Sequence, residues 1–112
     1  MVARANAQSN PNTYLFAYYF NYDNAYAYCV LDKCVNGVYS NLIKTWSNSP
    51  GAGGGGIPTA AQWLEIRCSG STVQLFHNNI QVGADQTVTD VNGVFAGAFQ
   101  SGGSQLESFF VG

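Results

Sequence analysis

Charge is the scarcest resource in this chain of 112 residues, which holds four Lys/Arg and six Asp/Glu. That is 9% charged side chains, against about a quarter in an ordinary soluble domain. The four cations, Arg4, Lys33, Lys44 and Arg67, are scattered. No basic stripe exists to displace counterions from a phosphate backbone, so nucleic acid is not expected as a partner. Long apolar runs are missing too. None approaches the ~20 residues that cross a bilayer as a helix, so membrane insertion is not expected. The stretch after Met1 lacks the apolar centre of a signal peptide.

Reactive side chains are equally sparse. There is one imidazole, His77, and the three cysteines, Cys29, Cys34 and Cys68, form no C-x-x-C pair. Neither a zinc ligand set nor a disulfide framework is implied. Buried free thiols are the expected state, with a Cys29–Cys68 bridge as the alternative. The carboxylates are Asp23, Asp32, Glu65, Asp85, Asp90 and Glu107. No two of them share a strand two positions apart, the spacing that would aim both into one groove as nucleophile and acid/base. With His77 beside a hairpin turn and no carboxylate pair, the chain does not read as an enzyme. Asp85, Asp90 and Asn92 offer the hard oxygens that calcium takes. The same residues build turns, so no metal and no cofactor is assigned.

What the chain does hold is aromatic and β-branched residues: hydrophobic residues make up 46% of it, with seven Tyr, seven Phe and two Trp. They recur in short runs broken by Gly, Asn, Ser and Pro at intervals of about ten residues, the spacing of short antiparallel strands. Strands are expected at 13–20, 25–33, 38–46, 61–68, 71–77, 80–82, 87–89, 94–99 and 105–111. The first places Tyr14, Phe16, Tyr18 and Phe20 on one face and Leu15, Ala17 and Tyr19 on the other, with Tyr14 and Phe16 read as core. Asn36-Gly37 between two apolar runs predicts a hairpin turn with both residues at positive φ. Turns are also expected at 21–24, at Ser69-Gly70 and at Asn78-Asn79. The run Gly51 to Gly56 makes 47–58 a flexible loop. It has no Lys-Ser/Thr behind it to hold phosphate. The chain is therefore one all-β domain, 1–112, an antiparallel β-sandwich or jelly roll of about nine or ten strands.

The order of the pieces carries a resemblance. Trp63 to Arg67, Gly70 to Val82, the acidic Asp85 to Asp90, Asn92-Gly93, Ala96-Gly97 and the closing Glu107 to Val111 resemble the concanavalin A-like jelly-roll superfamily, and within it the laminin-G-like type. The first half, with the Tyr14 strand and Tyr28 to Leu42, is similar to the middle strands of such domains. Asn79 stands where the family's hairpin has Gly, a tolerable exchange at positive φ. The chain is also short for this superfamily, so the resemblance implies an N-terminally short version or a fragment, with an exposed strand edge covered by another copy or partner.

The resemblance and the missing catalytic groups together imply a non-catalytic, lectin-like binding or adhesion module, taking a glycan or cell-surface ligand. The alternative is a structural assembly protein, such as a viral capsid-decoration or tail component, in contact with other protein chains. An extracellular or virion-surface location follows from either. Tyr19, Tyr22, Tyr26 and Trp46 are the expected ligand platform, because amphipathic rings stack on sugar faces and favour interfaces.

Overall fold

The computed structural model describes residues 1–21, 27–47 and 63–97. The expected turn at 21–24, the loop at 47–58 and the closing strand at 105–111 lie wholly or mostly outside the described residues. Among those described there is no helix. Eight strands are formed: β1 (Val2–Ala5), β2 (Tyr14–Asn21), β3 (Ala27–Val35), β4 (Val38–Trp46), β5 (Leu64–Ser69), β6 (Thr72–His77), β7 (Ile80–Thr87) and β8 (Phe95–Gly97). They make a five-stranded sheet, ordered β4-β3-β2-β1-β8, and a three-stranded sheet, ordered β5-β6-β7. Every pairing is antiparallel.

Turn chemistry is plainest in two of the three two-residue hairpins, the third being Gly70-Ser71 between β5 and β6. Asn36 and Gly37 sit at φ 51° and 82°, and Val35 pairs with Val38, as a two-residue turn with both centres at positive φ requires. The loop before β2 ties this turn down: the Asn36 amide donates to Thr13 Oγ1 (3.1 Å) and the Gly37 amide to the Asn12 carbonyl (2.8 Å). Asn78 and Asn79, at φ 50° and 65°, do the same between β6 and β7. Asparagine tolerates this region because its short polar side chain bonds locally.

β7 corrects one expectation. A break at Gly83 to Asp85 with a separate strand at 87–89 is replaced by a single strand, Ile80–Thr87. Its ladder with β6 slips between Leu75↔Val82 and Val73↔Gln86. Gly83 takes φ 70° at the slip, so the chain bulges and resumes pairing instead of turning away.

β4 packs across from β7 and β2 across from β5, and the two sheets share one core. Leu15, Ala17, Cys29, Leu31 and Ile43 enter it from the five-stranded sheet, and Val73, Leu75 and Val82 from the three-stranded one. Val88 and Val91, on the connection from β7 to β8, complete it. That connection is fastened by the Val88 amide to the Ser71 carbonyl (2.7 Å), the Gly93 amide to the Arg4 carbonyl (3.2 Å), and a Lys33–Asp90 ion pair (2.9 Å).

The faces of β2 are the reverse of the sequence expectation. Leu15 and Ala17 are fully buried and Tyr19 packs on the core, while Tyr18 is 38% exposed on the opposite side. Leu15 and Ala17, with Tyr19 beside them, face the space between the sheets, and Tyr14, Phe16 and Tyr18 lie on the other side. The cysteines divide as well. Cys29 and Cys34 are buried free thiols, burial pushing Cys29 up to about 11. Cys68, expected to be buried, is an exposed free thiol on β5, in the other sheet from Cys29.

Candidate binding face

Cross-strand register decides which side chains share the outer face of the five-stranded sheet. Tyr14 stands opposite Cys34, which stands opposite Tyr39; Phe16 opposite Asp32, then Asn41; Tyr18 opposite Val30, then Lys44; and Tyr28 opposite Trp46. Directly opposed residues project to the same side. The result is a surface of aromatic rings with one carboxylate, one amide and one ammonium among them.

The rings are paired. Tyr14 and Tyr39 meet edge to face with centroids 6.1 Å apart, Phe16 and Tyr18 lie tilted at 5.3 Å, and Tyr28 meets Trp46 edge to face at 4.9 Å. The Tyr14 and Tyr39 hydroxyls also share a hydrogen bond, and this bond, with burial behind it, holds the Tyr14 phenol well above its ordinary value. Such pairs contribute about 0.5–1.5 kcal/mol beyond their buried area and fix the ring orientations. Tyr39 and Trp46 remain 58% and 41% exposed, so ring surface is still open to a ligand.

A bulge shapes the middle of this face. β3 and β4 pair Asp32 with Asn41 but Leu31 with Ile43, which leaves Leu42 as the extra residue. Leu42 packs on the core. The Asn41 amide nitrogen spans the bulge, donating to Asp32 Oδ1 (2.8 Å) and to the Ile43 carbonyl (3.0 Å). Bulges re-aim side chains next to sites. Here Lys44 and Trp46 are turned to the same side as Tyr39 and Asn41.

Of the expected platform, Trp46 lies on this face. Tyr19 faces the core, its ring 5.6 Å from that of His77, and burial raises its phenol. Tyr22 and Tyr26 lie outside the described residues. Sequence reasoning missed Tyr14, Phe16, Tyr18, Tyr28 and Tyr39. The signal for Tyr39 was present, because a two-residue turn at Asn36-Gly37 puts it opposite Cys34.

The three-stranded sheet presents a different outer face. Arg67 bonds Glu65 (2.7 Å) and lies 3.6 Å over the Phe76 ring, while Asp85 Oδ1 accepts from Gln74 (2.9 Å) and Gln81 (2.7 Å). Its polar groups are spent on one another. Asp85, Asp90 and Asn92 do not converge: Asp90 is paired with Lys33, and Asn92 donates to the Thr89 carbonyl (2.8 Å). Among the described residues no group of three His, Cys, Asp or Glu side chains could hold a metal.

His77, expected as a strand-end residue, ends β6 and is fully buried. It shares a hydrogen bond with Ser47 through Nδ1. A Ser–His pair is the start of nucleophilic chemistry, and here both side chains lie within 1% of complete burial. The pair joins the end of β4 to the end of β6 across the core. Its titration has a consequence. Burial lowers the pKa of His77 below the ordinary 6.5, so below that pH the unfolded chain binds the proton that the fold refuses. The contribution of this residue is complete above 6.5 and declines as pH falls through 6.5 towards the folded value. Asp85, held down by Gln74 and Gln81, and Asp90, held down by Lys33, act in a lower window. Their stabilisation is present above 3.8 and declines as pH falls below it. Urea midpoints from pH 8 to pH 3 are expected to fall in two stages, and His77→Asn is expected to flatten the upper one. An unchanged upper slope in that variant would refute the assignment.

Comparison with known proteins returns no match: no protein-family model fits the chain, and neither a curated protein nor a solved structure is similar to it.

Proposed function

We propose that this protein is a non-catalytic binding module, lectin-like in its mode of action, that takes a carbohydrate or another surface ligand on the outer face of its five-stranded sheet. The observation that carries this reading is the oriented aromatic surface from Tyr14 and Tyr39 to Tyr28 and Trp46, with Asp32 and Asn41 between. Amphipathic rings that keep apolar area exposed beside polar groups suit a ligand with both C–H faces and hydroxyls. The burial of Ser47 and His77 supports a role without catalysis. Two antiparallel sheets around one core support the jelly-roll sandwich of the laminin-G-like type as the scaffold, and an extracellular or virion-surface location suits such a ligand.

The second reading is structural assembly with other chains. Exposed Val38 (70%) and Val94 (88%), away from the aromatic face, favour it. Against it stand the bulges in β4 and β7, two of the four edge strands among the described residues, since a bulge discourages edge-to-edge pairing.

Retention on immobilised polysaccharides, with light scattering to report oligomeric state, separates the two. Binding by a monomer is expected, with Tyr39→Ala and Trp46→Ala each lowering affinity about tenfold. A stable oligomer that no glycan column retains would overturn the reading in favour of assembly.

A further inference from the structure

The inference drawn here rests on the glycan-binding reading and adds the chemical class of the ligand. We propose that Asp32 and Asn41 form a hydroxyl-reading centre on the aromatic face, and that its ligand is an uncharged polysaccharide lying along the strands.

The two exposed ring pairs mark the ends of the face, Tyr14 with Tyr39 at one and Tyr28 with Trp46 at the other. Cys34 and Tyr28 belong to these end rows, and at about 3.3 Å per residue along β3 the rows stand about 20 Å apart. Asp32 and Asn41 fall between them. An extended chain of several sugar units can therefore stack at both ends while its middle lies over the carboxylate.

The polarity of that middle selects the ligand. Both donating contacts of the Asn41 amide nitrogen are made, to Asp32 Oδ1 and to the Ile43 carbonyl. The centre accordingly presents Asn41 Oδ1 and Asp32 Oδ2, two acceptors held in place by the β4 bulge. A ligand with no donors, such as a proline-rich strand, would strip water from Asp32 and return nothing, at about 1–3 kcal/mol or more. A run of hydroxyls supplies the donors.

Charge excludes the acidic glycans. Asp32 and Lys44 occupy neighbouring rows of this face and cancel. A sulfated or carboxylated chain would meet one ammonium and be repelled by one carboxylate, whereas polyanion binding takes a cluster of cations.

Affinity electrophoresis of the whole chain through gels containing dextran, xylan, a linear β-glucan, galactomannan or heparin tests this, followed by calorimetry with fragments of any polymer that binds. At least one neutral polymer is expected to retard the protein and heparin is expected to leave it unretarded. A hexasaccharide of that polymer should bind at least about tenfold more tightly than its disaccharide. Asp32→Asn should weaken the hexasaccharide about tenfold, with Glu65→Gln, on the outer face of the three-stranded sheet, within about twofold and the melting temperature of both variants unchanged. Retardation by heparin alone, or an unaltered affinity in Asp32→Asn, would overturn the inference. The glycan-binding reading would survive either result if Tyr39→Ala and Trp46→Ala each still lowered the affinity about tenfold. If none of the five polymers binds, or a proline-rich peptide docks on the face in their place, reading and inference fall together.

Discussion

Gly93→Ala is expected to destabilise the fold by about 3 kcal/mol or more, lowering the melting temperature by roughly 15 °C. A β-carbon at this position would stand 2.0 Å from the Ala5 carbonyl oxygen, 2.2 Å from its carbon and 2.6 Å from the Arg4 oxygen. These are main-chain atoms of β1, held by β2 on one side and β8 on the other, so no side chain can swing away. Relief requires the segment to withdraw, which breaks the Gly93 amide bond to Arg4 and drags on Val91, fully buried two residues earlier. Gly97→Ala is the matched control, because nothing lies within 4 Å of its added carbon. It should stay within about 0.5 kcal/mol of the parent. Equal melting temperatures for the two variants would show that the β7–β8 connection does not approach β1 as described.

Leu75→Ala should cost about 3 kcal/mol, within the range of about 2–5 for a fully buried leucine. Leu75 lies at the middle of β6 with no exposed surface, in the cluster that includes Leu15, Leu31 and Ile43 of the facing sheet. Two sheets packed face to face have few ways to collapse on a void, so the cavity term adds to the lost transfer energy. Phe76, the next residue, points outward beneath the Arg67 guanidinium. Phe76→Ala removes more atoms yet should cost only about 1 kcal/mol, since it leaves no enclosed cavity. Urea unfolding of the two variants checks the alternation directly. A larger loss for Phe76→Ala would reverse the faces assigned to β6.

Local signals read well where one residue type is needed for one backbone state. Asn36-Gly37 required positive φ at both centres and took it, so the β3–β4 hairpin was legible with the limits of β4 intact. Asn78-Asn79 was legible for the same reason. Alternation in β5, with Leu64, Ile66 and Cys68 as the apolar side, is right for its first half only: Leu64 and Ile66 pack on the core and Glu65 and Arg67 face water, while Cys68 is exposed. It failed in β2, where both faces are apolar. The alternation there marks two sides without naming the inner one, and the choice fell to the volume available between sheets.

The candidate face shows where legibility ends. A strict two-residue hairpin would carry the register of Cys34 and Tyr39 unbroken to the end of β4, putting Tyr28 opposite Thr45 and turning Trp46 to the inner side. Leu42 changes that. One extra residue shifts every later pair by one position, so that Tyr28 meets Trp46 and Lys44 comes to the outer face. Nothing in Asn41-Leu42-Ile43 announces a bulge, because it is favoured by a tertiary demand: Leu42 and Ile43 both reach the core. The sparse charge, the strands and the tight turns follow from the amino-acid sequence, since each depends on residues near one another along the chain. Which aromatic rings gather on one surface, and with which carboxylate, was decided only when two sheets had to share a core.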